Sequence, residues 1–315
     1  AFTDGARFTP GLNYTDRSVI RLTDVQGWGG GTSSPQAGYS KLYNVKDTLD
    51  GLRVSARRDL DWGAVSGIEG GLHVSDREKV RTFTEGRLVV NGGGPLASAA
   101  MPGSATTSIP TPGGSLQVAS FDSSSAVGSI YSVVRKLHPD IYNKDWRVNE
   151  KVNSFFAKAD LETQLFGLSV RGNAGLQIAM SDQSSTAFNV DRSTCASDTV
   201  CPANDVTRGA KYNDVLPSLN LMADLGGGQA LRFAVSRVMA RPKVDDMRAS
   251  MAYSYDATQQ LITGGGGNPE LKPFRANALD LAYEKYFGTK AYFSVAGFYK
   301  SLSSYILNIG KPFDY

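Results

Sequence analysis

The chain has 315 residues, of which 41% are hydrophobic and 20% charged, with 34 Gly, 14 Tyr, 14 Phe and a formal net charge of +3. That length allows one or two domains, and the near-neutral charge, without a basic stripe, excludes nucleic acid as a partner. No stretch approaches the ~20 apolar residues of a membrane helix, which leaves a membrane β-barrel open; His73 and His138 stand too far apart for a histidine metal centre, so neither metal nor cofactor is expected.

In chain order, Ala1 to Val45 reads as polar, glycine-rich and irregular, with Trp28, Tyr39 and Tyr43 as its aromatics. Asp50 to Lys79 reads as a first hairpin. Leu52, Val54 and Ala56 share one side and Arg53, Ser55 and Arg57 the other; after a turn at Asp59 to Gly63, Ile68, Gly70, Leu72 and Val74 oppose Glu69, Gly71 and His73. A period of two marks half-buried strands. Val80 to Trp146 is a long connection whose middle, Asn91 to Ser125, is mostly Gly, Ser, Ala, Pro and Thr. Ile130 to Val134 and Ile141 to Trp146 are read within it as short strands or a small helix.

Val152 to Met180 carries the cleanest alternation. Phe155, Ala157, Ala159 and Leu161 oppose Ser154, Lys158, Asp160 and Glu162, and after a turn near Gln164 to Gly167 the pattern resumes through Leu176 and Ile178. Ser181 to Ala210 is a loop with Cys195 and Cys201 among small polar residues. They are read as a disulfide outside the reducing cytosol, the alternative being two free surface thiols. Lys211 to Met239 is the third hairpin, turning at Leu225 to Gln229, with an irregularity expected at Pro217 because proline cannot donate to a ladder. Arg241 to Arg275 is a second long loop with Tyr253 and Tyr255. The fourth hairpin sets Leu279, Leu281 and Tyr283 against Asp280 and Glu284, turns at Phe287 to Lys290, and returns through Phe293, Val295 and Gly297.

Short turns thus alternate with long loops over four hairpins. Outer-membrane barrels have that rhythm, with the apolar side of each strand toward lipid and the polar side toward a wet interior. No catalytic motif is present, and no enzyme activity is expected. Asp160, Glu162, Asp224, Asp280 and Glu284 fall on the interior side, with Arg53, Arg57, Arg171 and Arg232 as counter-charges. Trp28, Tyr39, Tyr43, Trp146, Tyr253 and Tyr255 are the candidate ligand-stacking aromatics.

Gly267-Asn268-Pro269-Glu270-Leu271-Lys272-Pro273, followed by Asn277, Asp280-Leu281 and Tyr283, resembles the TonB-dependent outer-membrane receptors. So do Val235 to Pro242 and Tyr212 to Asn220, in the right order, with weaker echoes at Asp50 to Arg53 and Ser75 to Lys79. The resemblance implies an all-β fold, part of a large antiparallel transmembrane β-barrel with short periplasmic turns and long extracellular loops, in the bacterial outer membrane. It also implies a plug domain and coupling segment, neither of which is recognised here. Residues 1–315 are therefore expected to be a portion of the barrel domain without the plug and final strands. Implied partners are the TonB complex, outer-membrane lipid, a small-molecule or oligosaccharide ligand, and a surface lipoprotein. The implied function is energy-dependent uptake of a scarce solute, an oligosaccharide or a ferric siderophore; the alternative of another class is a soluble carbohydrate-binding β-sandwich.

Overall fold

The computed structural model describes residues 9–23, 37–92, 97–111, 114–191, 194–196, 200–307 and 309. Its strands in chain order are β1 (Arg21–Thr23), β2 (Gly38–Trp62), β3 (Val65–Val90), β4 (Ser98–Ala100), β5 (Thr106–Thr111), β6 (Gly114–Ala119), β7 (Tyr131–Arg135), β8 (Trp146–Leu165), β9 (Leu168–Asp191), β10 (Asn204–Gly226), β11 (Gln229–Ala240), β12 (Met251–Asp256), β13 (Leu261–Gly266), β14 (Phe274–Phe287) and β15 (Ala291–Ser304). The two α-helical pieces, α1 (Ser123–Ala126) and α2 (Pro139–Tyr142), are single turns, and a 3-10 turn spans Val244–Met247.

The chain forms two units. One comprises Ala1–Tyr43, Phe83–Ile141 and Arg192–Pro202. Here β1 pairs β4, β5 pairs β6, and β7 pairs the end of β3. Val90, Ala126 and Tyr131 form its buried cluster, with Leu22, Leu88 and Phe121 packed against them. Asp122 caps α1 by accepting from the Ser124 N–H, and the Ser124 hydroxyl, which also donates to it, together with that N–H holds its carboxyl below the usual carboxylate range. The stretch Asn91 to Ser125, expected to be loop, thus contains short strands. Its Ser- and Thr-rich composition hides the pairs Ile109–Leu116 and Thr107–Val118 that align β5 with β6. Cys195 and Cys201 are joined in a disulfide.

The other unit comprises Asn44–Thr82, Tyr142–Asp191 and Ala203–Tyr315. Its sheet runs in the order β15-β14-β11-β10-β9-β8-β3-β2, so that consecutive hairpins lie side by side. β2 and β15 are the two edges; among the described residues they do not pair with each other. The tight connections fall at Gly63–Ala64, Phe166–Gly167, Gly227–Gly228 and Gly288–Lys290. Phe166 and Gly167 have φ of 50° and 78°, the two left-handed residues that match a hairpin's twist. Around Pro217 the ladder to β9 continues unbroken, while the ladder to β11 starts only at Ser218. The missing proline N–H therefore falls where β10 has lost one neighbour.

The register places the apolar side chains in one continuous field. Leu72, Phe155 and Ile178 stand in one row, and Leu161, Leu221, Phe233 and Leu281 lie in another. These side chains are exposed or half-buried, Phe155 and Leu281 each at 50%, and Val295 on β15 is exposed at 57%. A β-sandwich would bury the same side chains between two sheets; here they meet no second layer among the described residues. On β8 the field runs from Phe155 to Leu165, about 35 Å along the strand and about 25 Å tall at barrel tilt, the height of a lipid-facing band. Beyond it the same side of the sheet turns charged. Asp76, Lys151, Asp182 and Lys211 follow one another across four strands, with Lys151 Nζ 3.4 Å from Asp76 Oδ2 and Lys211 Nζ 2.8 Å from Asp182 Oδ2. Charges cost least where water begins, so this row marks one rim of the apolar band.

Candidate functional site

The opposite face of the same sheet is polar toward the tight turns. Arg57 Nη1 lies 3.0 Å from Asp160 Oδ2, and Lys158 Nζ bridges Asp160 Oδ1 (3.3 Å) and Glu69 Oε2 (3.1 Å). Arg232 donates to Glu284 Oε1 over 2.8 Å. Two of the four arginines expected as counter-charges thus hold interior carboxylates. The Asp224 carboxylate caps its own turn, accepting from the Gly226 N–H at 2.9 Å. Such part-exposed pairs add little stability, so their effect is mainly to fix side-chain positions and balance charge. Between them the Asn220 amide donates to Asn173 Oδ1 over 3.0 Å. A groove of about 740 Å³ runs along this face, lined by Asn173, Asn220, Arg232, Asp280 and Phe298 among others.

Toward the long loops the same face is dry. Trp146, Val148 and Ala187 pack against Val244, Met247 and Ala249 from the 241–273 connection, with Leu271 beside them. That connection folds onto itself and is tied to the wall for identifiable reasons. A Cβ at Gly267 would lie 2.7 Å from the Asp246 carbonyl oxygen and closer still to that of Arg248, so only glycine permits this approach. The Asn268 N–H donates to the Asp246 carbonyl at 2.8 Å, and its own side chain accepts from the Glu270 N–H at 2.9 Å. Gln183, buried at 1% exposure, donates through Nε2 to the carbonyls of Pro269 (2.8 Å) and Leu271 (2.7 Å) and accepts from the Tyr212 hydroxyl at 3.2 Å. Arg275 grips the buried Asp214 carboxylate with two nitrogens, Nη2 to Oδ2 at 3.2 Å, and its guanidinium lies 5.9 Å from the Tyr212 ring centre. Breaking such a buried pair on one side leaves an uncompensated charge.

The aromatic candidates separate on inspection. Trp28 lies outside the described residues. In the smaller unit the Tyr39 hydroxyl donates to the buried Glu85 at 2.7 Å, and Tyr43, 70% exposed, stacks on Phe83 with ring centres 5.7 Å apart. In the larger unit Trp146 differs from the expectation. It opens β8 and is 4% exposed, because the 241–273 connection covers it, so its ring serves as core. Tyr253 and Tyr255 lie on one side of β12, which pairs with β13 and with the end of β9, and Tyr255 is 54% exposed. Of the three that lie in the larger unit, Trp146 is thus set apart from Tyr253 and Tyr255 by its burial. Gln183, Asn173 and Arg275 were given no role by the sequence reading. Tyr212, Asp214 and Asn220 fell within a quoted motif without an assigned role, and Gln183 had no local signal, because its partners lie 86 and 88 residues away.

No group of His, Cys, Asp and Glu able to hold a metal occurs among the described residues. No curated protein and no solved structure matches the chain. A family does: the sequence matches the one described as TonB dependent receptor-like, beta-barrel, over residues 1–315. An open antiparallel sheet with an exposed apolar band, a polar inner face, tight turns at one end and long connections at the other is the wall such a barrel requires. With that match over its whole length, the chain belongs to the TonB-dependent receptor-like β-barrel family.

Proposed function

We propose that this wall serves energy-dependent uptake, across the bacterial outer membrane, of a neutral polyhydroxylated solute such as an oligosaccharide. Family membership carries the outer-membrane receptor and transporter role, with TonB as coupling partner and a small molecule as cargo. The observation that supports passage through this wall is the apolar band bounded by the Asp76–Lys151–Asp182–Lys211 row, backed by a polar inner face. Exposed apolar area of that extent needs lipid to cover it. The preference for a neutral solute rests on the inner face, where Arg57, Lys158 and Arg232 are held by carboxylates, Arg53 and Lys300 lie over the Phe156 and Phe298 rings, and Arg171 reaches Met222 Sδ at 4.0 Å. An anionic ferric chelate would need several free cations brought together. A surface lipoprotein partner is part of the same reading, as is the plug that would complete the receptor.

The test is uptake by cells carrying the intact receptor. Fluorescently labelled neutral oligosaccharides are expected to accumulate, and to stop accumulating when the proton gradient is collapsed. Accumulation of ferric chelates instead would replace the proposed cargo; accumulation that ignores the gradient would remove the coupled mechanism.

A further inference from the structure

The outward face carries charge at both borders of the apolar band, and the two borders differ. Toward the long connections the cations are matched: Lys151 and Lys211 lie beside Asp76 and Asp182, and Arg147 Nε is 3.4 Å from Glu78 Oε2. Toward the tight turns they are not. Arg58 follows Leu52, Val54 and Ala56 on the outward side of β2, and Lys285 follows Leu281 and Tyr283 on that of β14. Lys290 stands exposed in the turn between β14 and β15. None of the three makes an ion pair among the described residues. The carboxylates adjoining Arg58 and Lys285 in sequence alternate to the inner side and are taken there: Asp59 Oδ1 lies 3.2 Å from Arg57 Nε, and Glu284 is held by Arg232. Lys285 Nζ donates to the Gly227 carbonyl over 2.7 Å and lies 5.8 Å from the Phe287 ring centre. An ammonium has three donors, so two remain for a ligand. Exposed aromatics, Trp62, Phe166 and Phe287, sit at three of the four tight turns.

We infer that this turn-side border binds the headgroups of anionic phospholipids in the leaflet that faces the turns. The inference needs the band to meet lipid and does not depend on the cargo. Aromatics at the border are common to membrane barrels; the unmatched cations are what give this border a preference. A phosphodiester is a charged acceptor for guanidinium and ammonium donors. In a choline or ethanolamine headgroup a built-in cation competes for it, whereas a glycerol headgroup leaves the whole charge to the protein. Arg58 lies four residues before Trp62, about 13 Å along the strand and about 9 Å of height at barrel tilt. Its aliphatic stem therefore lies on apolar surface while the guanidinium reaches toward the headgroups. A groove of about 710 Å³, lined by Arg58 together with Ala56, Ile68, Ala157, Ala159 and Leu176, gives an acyl chain of the same lipid its place. A soluble anion would use the cations and leave that groove empty.

The experiment places the intact receptor in phosphatidylcholine vesicles and adds brominated phosphatidylglycerol or brominated phosphatidylcholine, whose bromines quench nearby tryptophan. The emission difference between the parent and Trp62→Phe reports on the site beside Arg58. Half-quenching is expected at about fivefold lower mole fraction of phosphatidylglycerol, the effect of one cation at an anionic headgroup, and high salt should shrink that preference. Arg58→Gln should bring the two curves together, and Arg58→Lys should keep them apart. Phe287→Trp supplies a second reporter, whose preference should vanish when Lys285→Gln and Lys290→Gln are combined. Each variant is first checked for its folded gel mobility. Equal quenching by the two lipids at both reporters of otherwise unaltered protein overturns the inference, and so does a preference that persists at Trp62 in Arg58→Gln. Failure of Arg58→Gln to fold in any lipid would mean that a carboxylate of the protein holds Arg58, which overturns it as well. Each of these outcomes leaves the uptake reading intact.

Discussion

Gln183 shows how much of the inner wall depends on single side chains. Its amide makes both donations and one acceptance while 1% exposed. Replacement by alanine strands two buried carbonyls and the Tyr212 hydroxyl, a cost of about 1–3 kcal/mol for groups left without partners. Gln183→Ala is therefore expected to lower the urea midpoint of the lipid-folded protein and to raise protease cleavage between residues 241 and 273. Cleavage at the parental rate would mean that the connection is held by Trp146 and Met247 packing alone. Gly267 acts by a different means: its missing Cβ lets the Asn268–Pro269 corner reach the carbonyls of Asp246 and Arg248. The motif that carries the family likeness is thus also the one that folds the 241–273 connection tightly onto itself.

Strands are the scale at which the sequence was most readable. Alternation located the pairs β8–β9, β10–β11 and β14–β15, and the turns at Leu225–Gln229 and Phe287–Lys290 fall where the glycines put them. Apolar contrast was what made them legible, and it exists only where lipid demands it. Strand β2 begins at Gly38 and β3 continues to Val90, well outside Asp50 to Lys79, because beyond the apolar band apolar residues such as Tyr39, Leu42, Phe83 and Val90 no longer recur with one steady period. The hairpin of β12 and β13 was read as loop for a similar reason: Leu-Ile-Thr-Gly-Gly-Gly has no alternation, and its pairing with Met251–Asp256 supplies the order. The same contrast gives a test. Leu221 faces outward within the band, and Met222, its neighbour, faces inward. Leu221→Lys is expected to cost about 2–4 kcal/mol in folding into lipid vesicles, and Met222→Lys far less. Equal costs measured by urea titration in vesicles would mean that the band does not meet hydrocarbon.

For the whole molecule, orientation follows from the two ends of the sheet. Tight turns belong to the periplasmic side and long connections to the outside. A membrane-impermeant maleimide should therefore label Thr258→Cys, at the tip of the β12–β13 hairpin, on intact cells, and should reach Lys290→Cys only after the outer membrane is opened. Labelling of Lys290→Cys alone on intact cells would reverse the topology. The strands are also longer than a crossing needs: β8 has 20 residues and β9 has 24, against about 9–11 for a tilted span. About half of each ladder therefore stands clear of hydrocarbon and is sheltered by the chain's own folded-back segment. Amide deuteration should consequently resolve two slow zones along β8 and β9. One would respond to the choice of lipid, and the other would exchange quickly once the Gln183 anchor is cut.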